Sequence, residues 1–199
     1  MNLQPDGRKN RLIRFDDLTR EERYYSATIL PYLFAYNNFQ GLKVFEEYLS
    51  KNGFPDLIPE EDLSKIQILS EVFLDRDLPF YNIDIPPVAF QKKNLKQSKP
   101  DLLILTGSSL YLFECKVFTK CSEYELHKQI MDQKYMIDIV ESVSGHVCKT
   151  KIHFLVLPYK FDVEDCIVIT WKEILNIFEG IFSEKDYFVQ RLEKMILRL

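Results

Sequence analysis

The chain has 199 residues, of which 46% are hydrophobic and 14% aromatic, and its formal net charge is −4. This length suits one domain with a sizeable buried core, which excludes a disordered chain. The acidic balance argues against a protein that coats nucleic acid nonspecifically, and no stretch has the roughly 20 consecutive apolar residues that cross a bilayer.

Residues 1–18 are predicted to form a polar arm, followed by a single domain over residues 19–199. The start of the chain lacks the apolar stretch of a secretory signal, so we expect a cytoplasmic protein with no membrane partner. The arm carries a cluster of basic residues, namely Arg8, Lys9, Arg11 and Arg14.

Two helices are predicted at the start of the domain. Thr19 and Glu22 form a capping box that begins a helix extending over residues 19–36, and Pro31 should kink this helix locally. A second helix is expected over residues 41–51, where apolar residues recur at helical spacing.

The middle of the chain is predicted to form strands. Residues 66–74 favour a strand with Glu71 embedded in it, and further strands are expected at 101–106 and 109–118. The intervening residues 78–100 contain several prolines and form a long loop. Loops of this length inside a compact domain are commonly functional or mobile.

A second capping box, made by Ser122 and Glu125, predicts a helix that extends to about residue 142. Its buried stripe is expected to contain Leu126, Ile130, Ile137 and Val140. The remaining predicted elements are a strand at 151–158, a short apolar run at 166–169, and helices that begin at Thr170 and at Ser183. The order of these elements is α-β-β-β-α-β, with additional helices at the C-terminal end.

Three ionisable residues interrupt the two apolar runs that follow the long loop. Glu114 and Lys116 share one strand face because side chains alternate along a strand. A hairpin would bring Asp101 beside them, and charges in such apolar surroundings need partners because burying an unpaired charge is costly. Two carboxylates and an ammonium at one edge of a sheet predict a divalent-metal site. The alternative is an ordinary ion pair on an edge strand, with Asp101 serving as a turn residue.

Pro100-Asp101 and, further along, Glu114-Cys115-Lys116 resemble the signature of the PD-(D/E)XK nuclease superfamily. The resemblance covers about residues 66–157 and implies the restriction-endonuclease-like fold. This is an α/β fold with an α-β-β-β-α-β core, in which a mixed central sheet is flanked by helices. Extra N- and C-terminal helices would pack on that core.

The resemblance also implies a chemistry. Asp101 and Glu114 would bind Mg²⁺ or Mn²⁺, since carboxylate oxygens suit these hard ions, and the backbone carbonyl of Cys115 would be a third ligand. Lys116 would orient or deprotonate the attacking water, or stabilise charge on the phosphate. As a base it must lose its proton, which a nearby cation and partial burial would favour by lowering its pKa. The implied product is a 5′-phosphate.

Many members of the superfamily carry a further acidic residue upstream. Glu71 is our choice as this catalytic residue, because a carboxylate embedded in a strand demands a partner. Glu22 is the rival, although its capping-box role already accounts for it. A purely structural ion pair between Glu71 and Arg76 is the remaining alternative.

Phosphate-binding residues are expected on both sides of the motif. In resembling nucleases a glutamine on the following helix contacts the metal-bound water or a phosphate, and Gln129 and Gln133 are the candidates here. Solvent-facing glutamines are the alternative. Lys93 and Lys99 belong to a lysine-rich segment directly before Asp101, where they could contact phosphates or remain in a solvated loop.

The favoured hypothesis is therefore a metal-dependent nuclease in defence, repair or mobile-element biology, with DNA favoured over RNA as substrate. A catalytically silent module that binds nucleic acid or a protein partner is the second hypothesis, and an unrelated α/β scaffold is the third. The acidic composition suggests a protein partner that captures substrate, and a homodimer is left open. The four cysteines lack metal-binding spacing, so we expect reduced thiols and no iron–sulfur cluster.

Overall fold

The computed structural model describes residues 21–54, 60–72, 99–117, 121–144 and 148–199. The predicted polar arm, the cap at Thr19 and most of the long loop, including Lys93, lie outside the described residues. None of the described helices is long and apolar enough to cross a membrane.

The described helical segments are α1 (Glu21–Tyr24), a π-helical turn (Tyr25–Ile29), α2 (Leu30–Lys51), a 3-10 turn (Leu63–Lys65), α3 (Glu123–Ser144), α4 (Trp171–Ile177) and α5 (Tyr187–Ile196). The described strands are β1 (Gln67–Ser70), β2 (Leu102–Leu105), β3 (Ser109–Cys115), β4 (Thr150–Leu157) and β5 (Ile167–Thr170).

The strands form one five-stranded sheet in the order β1-β2-β3-β4-β5. The first three strands pair antiparallel as a meander, whereas β4 runs parallel to β3 and β5 runs parallel to β4. A parallel pair needs a crossover connection, and α3 lies between β3 and β4 in the chain. The protein is thus a mixed α/β structure with helices flanking the sheet, as the sequence predicted.

Side chains of β3 alternate between two hydrophobic clusters, which confirms the predicted face assignment. Tyr111 and Phe113 belong to the larger cluster, with side chains from α2, α4 and α5. Leu112 packs on the opposite face with Met136 and Ile137 of α3. Each fully buried side chain of this size contributes about 1.5–3 kcal/mol. The strand that carries Glu114 is therefore fixed from both sides.

The two predicted N-terminal helices are divided by a break inside α2. Backbone angles leave the helical region from Tyr36 to Phe39, and Asn37, Asn38 and Phe39 have positive φ. A Cβ at Gly41 would lie 1.8 Å from the carbonyl oxygen of Leu33, so only glycine permits this approach of the two halves.

The distortion expected at Pro31 is a π-helical turn that lies just before it. Proline lacks the N–H of an ordinary helical hydrogen bond, and its ring clashes with the carbonyl of residue i−4. A wider helical turn at Tyr25–Ile29 accommodates both effects.

Predicted caps are largely confirmed, whereas some predicted boundaries are wrong. Ser122 and Glu125 hydrogen-bond each other reciprocally at the start of α3, and Thr170 and Glu173 do so at α4. The last helix begins after an Asp186 cap rather than at Ser183, because Asp186 accepts from two backbone N–H groups.

The first predicted strand is also shorter in the structure. It ends at Ser70, so Glu71 is not embedded in it as predicted, and Glu71 has φ +53°. That conformation is left-handed and cannot continue a β-ladder. Lys116 likewise follows β3 directly rather than lying within it.

Candidate active site

The three residues of the predicted site lie together at one end of the β2–β3 pair. Asp101 precedes β2, and its backbone N–H donates to the carbonyl of Phe113 at 3.0 Å. Its Oδ2 accepts from the N–H of Cys115 at 2.8 Å. These two bonds hold the aspartate beside the backbone on either side of Glu114. The ammonium of Lys116 donates to Oε1 of Glu114.

Glu114 is only 3% exposed, and its carboxylate is held by side chains of α3 as well as by Lys116. Gln129 Nε2 donates to Oε1 at 3.0 Å, and Gln133 Nε2 donates to Oε2 at 2.8 Å. A carboxylate this deeply buried needs such donors. The two glutamines, which are one turn apart, thus orient Glu114 from the helix side.

Gln133 is fully buried, so a solvent-facing position for this glutamine is wrong. Its Nε2 also approaches the carbonyl of Lys99 at 3.3 Å. Its Oε1 is buried and has no hydrogen-bond partner among the described residues. Buried acceptors are nearly always satisfied, so this oxygen is available for a group that the site would bind.

Burial is the main reason that the pKa of Asp101 is raised to about 7, and the negative charge of Glu114 raises it further. The two carboxylates therefore repel each other in surroundings of low polarity. Ionisation of both is costly unless positive charge lies close to them.

Two opposing effects act on the pKa of Lys116. Burial lowers its pKa, but the adjacent carboxylates of Glu114, Glu22 and Asp101 raise it by more, so the net shift is upward. The sequence-based expectation of a lowered pKa assumed a nearby cation, whereas the described neighbours are anions. The protonated ammonium is the form that these surroundings stabilise.

Glu22 is an upstream acid whose side chain contacts the motif, whereas Glu71 contacts it through its backbone N–H, which donates to the carbonyl of Asp101. Glu22 Oε1 lies 3.8 Å from the Lys116 ammonium, and its Oε2 accepts from the N–H of Val117 at 3.4 Å. Glu71 is instead paired with Arg23 and Lys99. The sequence favours Glu71 because a capping role already accounts for Glu22, but Thr19, the other half of that predicted cap, lies outside the described residues. The contacts of Glu22 with Lys116 and Val117 join residues that are far apart in the chain, so no local pattern predicts them.

Trp171 is a site neighbour that the sequence did not single out. Its indole N–H donates to the carbonyl of Lys116 at 2.8 Å, and its side chain is fully buried. A buried indole N–H needs an acceptor, so a tryptophan at the start of a well-capped helix was a usable signal. The contact fixes the backbone on which the lysine is carried.

The donor set fits a hard divalent cation in chemical type. Asp101, Glu114 and the unpartnered Gln133 Oε1 offer oxygen atoms, which Mg²⁺ and Mn²⁺ prefer. The described residues contain no group of three or more His, Cys, Asp or Glu side chains arranged to hold a metal. Two carboxylates with water molecules are a common ligand set for Mg²⁺, and the Cys115 carbonyl remains a predicted further ligand.

No protein-family model, curated protein or solved structure matches this chain. The assignment of the site consequently depends on its own residues. These residues are a buried glutamate beside a half-buried aspartate, an ammonium in contact with the glutamate, and amides that fix the orientation of the glutamate. Such a cluster can bind a cation and can position a water molecule next to an anion.

Proposed function

We propose that the protein is a metal-dependent nuclease of the PD-(D/E)XK type that hydrolyses phosphodiester bonds in DNA and leaves 5′-phosphates. The observation that carries the proposal is the convergence of Asp101, Glu114 and Lys116 on one end of the sheet. The hairpin of β2 and β3 brings these residues together in a place where unpaired charges would be costly.

The order and directions of the strands support the same proposal. An antiparallel meander followed by a crossover helix and a parallel strand is the arrangement expected of a restriction-endonuclease-like core. The acids of the motif lie at the open end of the β2–β3 hairpin, Asp101 just before β2 and Glu114 near the end of β3. We extend the fold assignment from mixed α/β to this core as part of the proposal.

In the proposed reaction, Asp101 and Glu114 hold Mg²⁺ or Mn²⁺ with the Cys115 carbonyl. The ion, when bound, supplies a Lewis acid for the scissile phosphate and lowers the pKa of water. Gln129 and Gln133 keep the Glu114 carboxylate in one orientation. Positioning of this kind preorganises the charges that a reaction needs.

Lys116 positions the attacking water or stabilises charge on the phosphate, and Glu22, 3.8 Å from the ammonium, helps to hold it in place. The phosphate-contacting role of the glutamines, predicted from the resemblance, is replaced in this proposal by contact with Glu114. Lys93 is retained as a predicted phosphate-binding residue outside the described part of the chain.

The decisive experiment measures cleavage of labelled single- and double-stranded DNA with Mg²⁺, with Mn²⁺ and with EDTA. Asp101→Asn and Lys116→Arg should each reduce metal-dependent cleavage by at least about 100-fold. Both variants conserve shape or charge, so circular dichroism and urea unfolding should show a folded protein. Lys194→Ala, an exposed change on α5, is the matched control. Cleavage by both site variants at the control rate would overturn the assignment.

One observation favours the catalytically silent alternative. The Lys116 ammonium and both glutamine amides already donate to the oxygens of Glu114, so a cation would compete with these donors for that carboxylate. Under this alternative, DNA would bind in gel-shift experiments and remain uncut with every metal. Quenching of the single tryptophan, Trp171, by Mn²⁺ would independently report whether a cation binds nearby.

A further inference from the structure

A three-residue ionic cluster made of Arg23, Glu71 and Lys99 lies beside the proposed active site. Glu71 Oε1 is 2.5 Å from Arg23 Nε and 3.7 Å from Lys99 Nζ. The Arg23 side chain is 52% exposed, and the other two are each 26% exposed. Both cations thus share one oxygen of a single, partly exposed carboxylate.

The cluster is attached to the site through the backbone. The N–H of Glu71 donates to the carbonyl of Asp101 at 3.2 Å, and the carbonyl of Lys99 accepts from Gln133. Arg23 follows Glu22, which contacts the Lys116 ammonium. Each member of the cluster is therefore adjacent to a residue of the proposed catalytic group, and each side chain is partly exposed.

Glu71 keeps this place at a conformational cost. Its φ of +53° is left-handed, a conformation that is strained for a residue other than glycine. A glutamate in this conformation, directly after a strand, brings a negative charge between two cations. Strain of this kind is often found where a side chain has a functional position.

We propose that Arg23 and Lys99 form a clamp for a backbone phosphate of the nucleic acid, and that Glu71 occupies the clamp when no substrate is bound. The inference depends on the proposed function, because the phosphate would belong to a strand that lies across Asp101 and Glu114. It gives Glu71 the role of a competing anion, in place of the catalytic role predicted from the sequence.

The charges of Arg23 and Lys99 favour replacement of the Glu71 carboxylate by a phosphate. Two cations facing one carboxylate retain an excess of positive charge, which favours the approach of an anion. A phosphodiester offers two non-bridging oxygens, and the planar guanidinium of arginine matches such a pair better than an ammonium does. The phosphate would replace the carboxylate, and Glu71 would turn toward solvent without any covalent change.

The test measures binding of a fluorescent single-stranded DNA oligonucleotide by anisotropy in EDTA, across about 50 to about 200 mM NaCl. Arg23→Ala and Lys99→Ala should each weaken binding roughly three- to tenfold and make the salt dependence shallower by about 0.7 in log–log slope. Glu71→Gln keeps the size of the side chain and removes its charge, so it should tighten binding roughly three- to tenfold.

Two control variants match these charge changes at exposed positions outside the cluster. Glu179→Gln, in the turn that follows α4, and Lys194→Ala, on α5, should leave binding within about twofold of wild type. If Glu71→Gln fails to tighten binding, or if Arg23→Ala binds as wild type, the clamp is excluded.

The outcome for the clamp can be separated from the outcome for the nuclease. Tighter binding by Glu71→Gln without any cleavage by wild type would support the clamp and overturn the nuclease. Metal-dependent cleavage by wild type, with DNA binding unchanged in Arg23→Ala, would support the nuclease and exclude the clamp. If Glu71→Gln loses both cleavage and Mn²⁺ quenching of Trp171, Glu71 is a metal-site residue and the clamp is wrong.

Discussion

Two buried glutamates on opposite faces of the sheet receive different hydrogen-bond donors from the protein. Glu46 of α2 is 1% exposed and accepts from the hydroxyl of Tyr111, a member of the larger hydrophobic cluster, at 2.8 Å. Glu114 is 3% exposed, but it has an ammonium and two amides within hydrogen-bond reach. The comparison shows that depth of burial does not decide what a carboxylate can do.

These surroundings determine how well the ionised carboxylate of Glu46 is stabilised. Burial raises the pKa of Glu46 to about 7, and the hydrogen bond from Tyr111 offsets only part of this effect. Glu46 therefore favours the neutral acid, which is compatible with a purely structural role. Glu114 instead accepts hydrogen bonds from the Lys116 ammonium and from the amides of Gln129 and Gln133, which hold its carboxylate in one orientation.

The largest expected effect comes from removing the ammonium that compensates Glu114. Lys116→Met should lower the free energy of unfolding by about 3 to 5 kcal/mol, because it leaves a buried carboxylate without its counter-charge. Urea unfolding at neutral pH measures the loss. The double variant Glu114→Gln/Lys116→Met removes both charges and should recover most of it. A loss below about 1 kcal/mol in the single variant would show that the pair is not effectively buried.

An intermediate effect is expected from the pH dependence of Glu46. Its folded pKa lies above its ordinary value, so its stabilising contribution is present at low pH and is lost as the pH rises through about 7. Between about pH 5 and about pH 8, the free energy of unfolding of Glu46→Gln should therefore fall by on the order of 2 kcal/mol less than that of wild type.

Unfolding free energies of wild type and Glu46→Gln, measured by urea across that pH range, provide the comparison. Glu47→Gln changes an exposed neighbour on the same helix and should reproduce the wild-type pH profile. A profile for Glu46→Gln that parallels wild type would mean that Glu46 has an ordinary pKa.

The smallest expected effect concerns the hydrogen bond from Trp171 to the Lys116 carbonyl. Trp171→Phe should cost about 1 to 2 kcal/mol in unfolding free energy, since it leaves a buried acceptor unpaired. It should also reduce DNA cleavage, because the backbone that carries Lys116 is then less firmly placed. Phe178→Leu alters the same hydrophobic cluster and is the control: similar destabilisation with unchanged cleavage. Equal cleavage by the two variants would argue against a positioning role for Trp171.

Much of the fold followed from local rules. Alternating side chains on β3 predicted which residues face each cluster, and capping boxes predicted where α3 and α4 begin. Each of these signals spans only a few residues, so it can be recognised without knowledge of the tertiary structure. The convergence of Asp101 with Glu114 and Lys116 was also predictable, since a short turn between two strands fixes their pairing.

The partners of those residues were not predictable in the same way. Glu22 reaches Lys116 from a helix far upstream, and Trp171 reaches it from a helix far downstream. Glu71 was expected inside a strand, yet the strand ends before it and its side chain pairs with two cations. Such contacts depend on how whole elements pack, which no short window of sequence contains.

By itself, then, the sequence determined the α/β order, the alternation of β3 and the identity of a central acid–acid–lysine group, because each follows from backbone geometry over a short span. Only the tertiary structure decided which upstream glutamate meets the lysine, that both glutamines hold Glu114, and that Arg23 and Lys99 share Glu71. The physical reason is that a buried charge is stabilised by whatever donors packing brings within hydrogen-bond distance, and packing is set by the hydrophobic clusters of the whole domain.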